Sequence, residues 1–466
     1  MTSRTLLTAA LAALAAALPA RPPNVILILA DDMGWRDTGF AGNRWVETPN
    51  LDRLARAGAV FSRCYASAPN CAPTRACLLT GQTTPRHGVY TVVDDRYAPG
   101  QLHMRVLSTR GADELPAGTR TIADQLREKG YATALFGMWN LGRGRPGTTG
   151  SPTGRGFDLY RRPDDLGFPK DAYHDAKGRY LSDALADEAI AWVERQKDKP
   201  FFLYFADHSV HEPFDPKAGL LAKYKAKAKG AGESAFTPEF AATIEALDAN
   251  VGRLMAKIEA LGLGRDTILV FTSDNGGLPG TVAPLRGSKG LLYEGGIRVP
   301  GFAHWPGTIG GERTIDAPVA SIDLAPTLLE AAGAAFPAGQ RVDGVSLLPA
   351  LLGKAQVPAR PLFWHFPCYI GKGEPMSLLR LGELKLIHKF AGPTFELYDL
   401  AKDPSESRDL AKEQPAKVAE LRQMLAKWQA DTGAFLADQP NPAFDPAARE
   451  ARGGGKGGRK GKEAGR

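Results

Sequence analysis

Val25-Ile26-Leu27-Ile28-Leu29-Ala30-Asp31-Asp32 is a short, unbroken apolar run that stops on two carboxylates. A strand with one face in water alternates polar and apolar residues, so continuous apolarity over this length predicts a parallel strand covered on both faces. Runs of the same kind recur at Tyr131 to Phe136, Phe201 to Ala206 and Ile268 to Phe271, separated by segments of helical period. The alternation predicts an α/β fold, a large mixed, mostly parallel sheet sandwiched by helices. Ligands of such sheets bind outside the carboxyl ends of the strands, which is where Asp31 and Asp32 would stand.

Two helices are legible from spacing. Phe240, Ile244, Leu247, Val251, Leu254, Ile258 and Leu261 follow one another at steps of four and three, after Thr237-Pro238 and before Gly262. Leu181, Leu185, Ala189, Trp192 and Val193 form a second stripe. Both read as faces packed on the sheet. Beyond Leu347-Leu348-Pro349 the pattern changes to short strands at Leu378 to Leu381, Leu384 to Ile387 and Phe395 to Leu400, then a helix carrying Val418, Leu421, Leu425 and Trp428. We therefore expect a catalytic unit over 21–354, a smaller C-terminal α+β domain over 355–435, and a disordered basic tail over 436–466.

The chain has 466 residues and is 43% hydrophobic, enough to bury a large core and unlike a disordered or membrane-bundle composition. Residues 1–20 place Arg4 before an apolar stretch from Leu6 to Leu18 and then Pro19-Ala20, the pattern of a secretory signal peptide and too short to span a bilayer. A periplasmic or secreted protein with no integral membrane segment after cleavage is the expectation. The net charge of +7 sits mostly in the tail, where Arg452, Lys456, Arg459, Lys460, Lys462 and Arg466 face only Glu463. The body is nearly neutral, so no nucleic-acid partner is expected, and the tail either stays solvated or adheres to acidic glycan. Four cysteines, Cys64, Cys71, Cys77 and Cys368, are too few for a disulfide scaffold in a chain of this length.

An Asp pair, Asp31-Asp32, and an Asp-Asn pair, Asp274-Asn275, follow apolar runs closely. Four oxygen donors at strand ends make the hard ligand set preferred by Ca²⁺ or Mg²⁺. Between them lies Cys71-Ala72-Pro73-Thr74-Arg75-Ala76-Cys77-Leu78-Leu79-Thr80-Gly81. Pro73 suits the first turn of a helix, which sets Cys71 at a helix N-terminus whose exposed N–H groups favour negative charge.

That segment resembles the maturation signature of the formylglycine-dependent sulfatases, in the alkaline phosphatase-like superfamily. Asp31 to Trp35, Thr48 to Asp52, His208 to Pro213, Phe271 to Gly276, Leu285 to Gly290, Glu294 to Pro300, Asp323 to Thr327 and Leu397 to Leu400 resemble sulfatase segments in sulfatase order, so the likeness covers roughly residues 24 to 430. The resemblance implies that a separate maturation enzyme reads Cys71, Pro73 and Arg75 and oxidises Cys71 to formylglycine, whose hydrate is the nucleophile. It implies a metal, Ca²⁺ or Mg²⁺, held by Asp31, Asp32, Cys71, Asp274 and Asn275. Arg75 would steady the hydrate and the carboxylates, His211 would protonate the leaving alcohol and Lys289 would bind sulfate. His208 is the weaker of the two histidine candidates. The implied substrate is a sulfate ester, a small molecule or a sulfated carbohydrate, held in a pocket shaped by loops 93–120 and 143–180.

One segment departs from the family. Gly137-Met138-Trp139-Asn140-Leu141-Gly142 stands where Gly-Lys-Trp-His-Leu-Gly is usual. Met138 carries no charge and Asn140 cannot titrate. Three readings follow: a sulfatase with an altered active site, a phosphoester or phosphonate hydrolase on the same fold, or an impaired homologue that binds sulfated glycan. Asn275 leans against the second, because phosphate-directed relatives tend to place a histidine there.

Overall fold

The computed structural model describes residues 21–92, 98–170, 172–230, 236–371 and 373–449. The expected signal peptide, residues 1–20, and the basic run 452–466 lie outside the described residues. An eight-stranded sheet runs in the spatial order Arg313–Ile315, Ala59–Phe61, Phe302–His304, Thr267–Ser273, Asn24–Ala30, Phe201–Asp207, Ala132–Gly137, Leu159–Arg161. Phe302–His304 is antiparallel to both of its neighbours and every other pairing is parallel, so the sheet is mixed but mostly parallel.

The opening apolar run is the centre of this sheet. Val25, Leu27 and Leu29 point to one face, against the layer that holds the helices Cys71–Thr80, Ile122–Glu128 and Leu324–Ala331. Ile26, Ile28 and Ala30 point to the other, where the helices Leu181–Gln196 and Pro238–Ala260 contribute Leu185, Val193, Ile244 and Leu247. With both faces covered, each fully buried Leu or Ile contributes roughly 1.5–3 kcal/mol, which is why no polar residue interrupts the strand. The Pro238–Ala260 helix starts where the sequence indicated: the Thr237 hydroxyl accepts the Phe240 N–H at 3.2 Å and Pro238 occupies the first turn.

Strand register builds the site. Ala30 pairs with Ser273 on one side and with Asp207 on the other, and Gly137 pairs with Ala206. Four adjacent parallel strands therefore end at one edge and release Asp31-Asp32, Asp274-Asn275, His208 and Met138 side by side. The Asp274 N–H still donates to the Ala30 carbonyl, and the Met138 N–H to the Ala206 carbonyl.

The C-terminal unit is a four-stranded antiparallel meander, Pro361–Phe366, Met376–Leu381, Leu384–Lys389 and Thr394–Asp399, followed by the helix Pro415–Thr432. Leu379, Leu386 and Leu397 face Leu421 and Leu425 of that helix. Leu378, Ile387 and Tyr398 face the other way and pack with Tyr65, Leu292 and Tyr293 of the large unit.

Residues 436–449 depart from the expected disordered tail. Ala437 is buried with Met104, Val106, Tyr369 and Phe390, and the Asn441 amide donates to the carbonyls of Gln101 and Met104 at 3.0 and 2.8 Å. These bonds and backbone pairs such as the Asn441 N–H on the Arg105 carbonyl hold this stretch, and they leave no hydrophobic period in the sequence. All four cysteines are buried and free. Cys64 lies near the Thr272 hydroxyl, Cys77 near His87, and Cys368 donates to the Thr109 carbonyl, so none meets another.

Candidate active site

Cys71 is the first residue of a fully buried helix, Cys71–Thr80. Asn70 precedes it in extended conformation, and the Thr74 hydroxyl donates to the Ala68 carbonyl and accepts the Ala68 N–H, which fixes the entering chain. Pro73 stands in the first turn, where its missing N–H costs nothing. Gly81, in the left-handed region at φ 68°, ends the helix by donating to the Cys77 carbonyl.

The helix N-terminus meets the ends of the central strands. The Cys71 thiol lies 3.4 Å from Asp31 Oδ1 and 3.4 Å from Asn275 Oδ1. One ligand atom from each of Asp31, Asp32, Cys71 and Asp274 falls within 4.8 Å of all the others. The Asn275 amide donates to Asp32 Oδ1 at 2.8 Å, and the Asp32 N–H donates to Asp274 Oδ1 at 3.2 Å. Asp32 takes a left-handed backbone at φ 65°, which turns its carboxylate back toward the group. Such a conformation is costly outside glycine and collects at functional sites.

Two cations face these acids, one buried and one half-buried. Arg75, fully buried, donates from Nε and Nη2 to Asp274 Oδ2 at 3.1 and 2.7 Å, from Nη2 to Asp31 Oδ2 at 3.1 Å, and from Nη1 to the Met138 carbonyl at 2.6 Å. Lys289 donates to Asp32 Oδ1 at 2.5 Å. The two histidines complete the ring: His208 Nδ1 donates to Asp31 Oδ2 at 2.8 Å, and His211 Nε2 lies 3.6 Å from Asp32 Oδ2. His208, ranked below His211 from sequence, thus touches the cluster directly. Only folding could show this, because the two residues share one loop and one residue type.

Burial pushes Asp274 up to about 7, reinforced by the Asp31 carboxylate and opposed by Arg75. Burial pushes Asp31 the same way, but the His208 hydrogen bond and the Arg75 charge overcome it and hold Asp31 well below the usual carboxylate range. Without a further cation, full ionisation of these neighbouring acids is unfavourable; a divalent ion among them removes the conflict. Burial, then the charges of Asp274 and Asp31, raise the Cys71 thiol well above its ordinary value. An unmodified Cys71 is therefore held as S–H and is a poor nucleophile here. The donor set fits a hard divalent cation, and an oxygen at position 71 fits it better than sulfur.

Met138, whose carbonyl accepts from Arg75, and Asn140 line a pocket of about 660 Å³ that also includes Arg143, Tyr160, Arg162 and Asp165. Asn140 is left-handed at φ 59°. Arg143, Gly144 and residues of 150–165 on that wall fall within the loop 143–180 expected to shape the substrate pocket, whereas Met138 to Gly142 precede it.

Residues 23–334 match the model of the family described as Sulfatase. The chain belongs to the sulfatase family. Residues 288–431 also match the family described as N-sulphoglucosamine sulphohydrolase, C-terminal. The sulfatase is 34% identical to arylsulfatase A of Homo sapiens, with 94% of each chain covered, and 32% identical to a sulfatase of Formosa agariphila, covering 88% of this chain and 90% of that one. Among solved structures it is similar to Ps i-CgsB, with TM-score 0.73, 28% identity, and 93% of this chain and 97% of that one covered. Phosphonate monoester hydrolase of Agrobacterium radiobacter shares the fold at TM-score 0.65 and 23% identity, covering 88% and 96%. The reaction class of the family is hydrolysis of sulfate esters.

A buried ion network around Glu294 has no counterpart in the sequence reading. The Glu294 carboxylate accepts from Lys385 at 2.9 Å and from the Tyr65 hydroxyl at 2.8 Å, while the Glu294 N–H donates to Glu406 at 2.7 Å. Lys385 and Glu406 belong to the C-terminal unit, so no local pattern links them to residue 294.

Proposed function

We propose that this sulfatase is an exported enzyme that cleaves sulfate esters of carbohydrates, using formylglycine made from Cys71 and a divalent cation, Ca²⁺ or Mg²⁺, held by Asp31, Asp32, Cys71, Asp274 and Asn275. The observation that carries the proposal is the meeting of Cys71 with those four residues at the N-terminus of a buried helix, with Arg75 and Lys289 supplying two positive charges beside them.

Formylglycine supplies the nucleophile: its hydrate offers one hydroxyl to attack sulfur and a second from which the carbonyl re-forms as sulfate leaves. The cation, when bound, polarises the sulfate oxygens and favours the ionised hydroxyl. The chain's own residues do the rest. Arg75 neutralises Asp31 and Asp274 and keeps both oriented toward position 71. Lys289 presents a half-buried ammonium to a sulfate oxygen. His211 donates Nδ1–H to its neighbour's carbonyl at 2.5 Å, so the proton for the leaving alcohol is the Nε2–H of the imidazolium form, and its loss leaves the neutral Nδ1–H ring. The helix N-terminus behind residue 71 favours the negative charge that gathers there.

Carbohydrate is favoured by relatives that include N-acetylgalactosamine-6-sulfatase of Canis lupus familiaris, 32% identical over 82% of this chain and 74% of that one. Ps i-CgsB, at 28% identity, has also been solved in complex with k-i-k-neocarrahexaose. Met138 and Asn140 make the site an altered one. Asn140 can hydrogen-bond to the hydrate without taking its proton, so ester cleavage proceeds while sulfate release is slowed.

The test pairs a mass measurement of the peptide containing residue 71, after co-expression with a maturation enzyme, with a panel of sulfated sugars, aryl sulfates and phosphate esters assayed in calcium. Formylglycine together with release of sulfate from a sugar supports the proposal. Turnover confined to phosphate esters supports the phosphohydrolase reading, and binding without turnover supports the glycan-binding one.

A further inference from the structure

The loop that carries both histidines is held from below by a residue outside every family-like segment. The Tyr173 hydroxyl lies 3.1 Å from the His208 carbonyl and 2.9 Å from the His211 carbonyl, so its single O–H proton is shared between the two ends of the four-residue turn closed by the His211 N–H on the His208 carbonyl. Its ring lies nearly parallel to the His208 imidazole, with centroids 5.9 Å apart, and His208 in turn stacks on His211 at 4.6 Å. The three rings form one continuous pile.

Tyr173 is itself fixed. It is 3% exposed, packs in the core layer with Phe168, Tyr180 and Leu181, and its carbonyl accepts the Leu181 N–H at the start of the Leu181–Gln196 helix. The same helix start holds the loop a second way, since the Ser182 hydroxyl donates to Asp207, which accepts the Ser209 N–H at 2.7 Å. The backbone of residues 207–211 is thereby tied to a rigid helix rather than left as a free loop. A side chain that must reach a leaving oxygen at hydrogen-bond distance gains from such a mount, because small misplacements are expensive in rate.

We infer that Tyr173 is a positioning residue for proton donation to the leaving group: it sets the direction of the His208–His211 pair and touches neither substrate nor metal. The inference rests on the sulfatase reading above. It makes a claim that a merely structural tyrosine would not satisfy. Protonation matters most when the departing oxyanion is basic, so the loss caused by disturbing the donor must depend on the leaving group.

The test compares kcat/KM of matured wild type and Tyr173→Phe on para-nitrophenyl sulfate, whose leaving group departs as a stable anion, and on phenyl sulfate, whose leaving group is far more basic. Phenylalanine keeps the ring in the pile and removes only the hydroxyl, so the fold is retained, and thermal unfolding of both proteins checks this. The expected result is a loss of about tenfold on phenyl sulfate and little change on para-nitrophenyl sulfate. Equal losses on both esters, or no loss on either, overturn the inference while leaving the sulfatase reading intact. Where the wild type turns over only sulfated sugars, whose alkoxide leaving groups are more basic still, the loss of about tenfold is expected on them and its absence overturns the inference. A matured wild type that releases sulfate from neither the aryl esters nor the sugars overturns the sulfatase reading, and this inference with it.

Discussion

Arg75 and Asp274 are joined twice, through Nε and Nη2 to the same carboxylate oxygen, with no solvent at either side chain. Removing one partner of a buried ion pair leaves the other uncompensated, at a cost of about 3–5 kcal/mol. Arg75→Gln is therefore expected to lower the thermal unfolding midpoint strongly. Saturating calcium is expected to recover part of the loss, because a bound cation takes over the neutralisation of Asp31 and Asp274. Calorimetry with and without calcium checks both outcomes, and equal destabilisation in the two conditions would speak against a cation at these residues.

Lys289 holds Asp32 and presents its ammonium to the site. Lys289→Met keeps most of the volume and removes the charge. The expected consequence is weaker inhibition by inorganic sulfate, by tenfold or more, since a hydrogen-bonded charge pair is worth about 1.5–3 kcal/mol. Inhibition constants measured at several sulfate concentrations decide it.

On the proposed reading, Asn140 takes the place of a base. Rapid mixing of matured enzyme with an aryl sulfate is expected to show a stoichiometric burst of product followed by a slower steady rate. Asn140→His is expected to raise that steady rate at least tenfold and shrink the burst. Product formation that is linear from the first turnover in the wild type would show that sulfate release is not the slow step.

Much of this site could be read before folding. The strand ends at Asp31-Asp32 and Asp274-Asn275 and the helix starting at Cys71 were visible because a buried parallel strand and a Pro-bearing helix start leave local signatures. Their convergence was not visible, since it follows from register: Ala30 pairs with Ser273 across 243 positions of sequence. Tyr173 and Lys385 carried no signal at all, and Glu294 only as the start of a family-like segment, for each acts through a partner distant in the chain. The packing of residues 436–449 was hidden for a related reason, as Asn441 fastens that segment with two hydrogen bonds and little apolar burial.

Asp37 offers a pH test away from the metal ligands. Burial pushes its carboxyl up to about 8 from an ordinary 3.8, opposed by the Gly34 N–H it accepts at 2.6 Å and by the Arg36 charge. A carboxyl whose folded pKa lies above its unfolded one keeps its proton in the folded state, so this group subtracts stability as pH rises between those two values. Asp37→Asn cannot ionise. The stability of the variant relative to wild type is expected to increase from pH 4 to pH 8 and to level off above that, measured by denaturant unfolding across the range; a constant difference would mean Asp37 does not titrate there.

The most direct test is a crystal structure of the matured protein grown with calcium. An ion coordinated by Asp31, Asp32, Asp274 and Asn275 at about 2.3–2.6 Å, with an oxygen of formylglycine at residue 71 as a further ligand, is the predicted result. An empty acid cluster beside an intact Cys71 thiol, in protein that still releases sulfate, would contradict it.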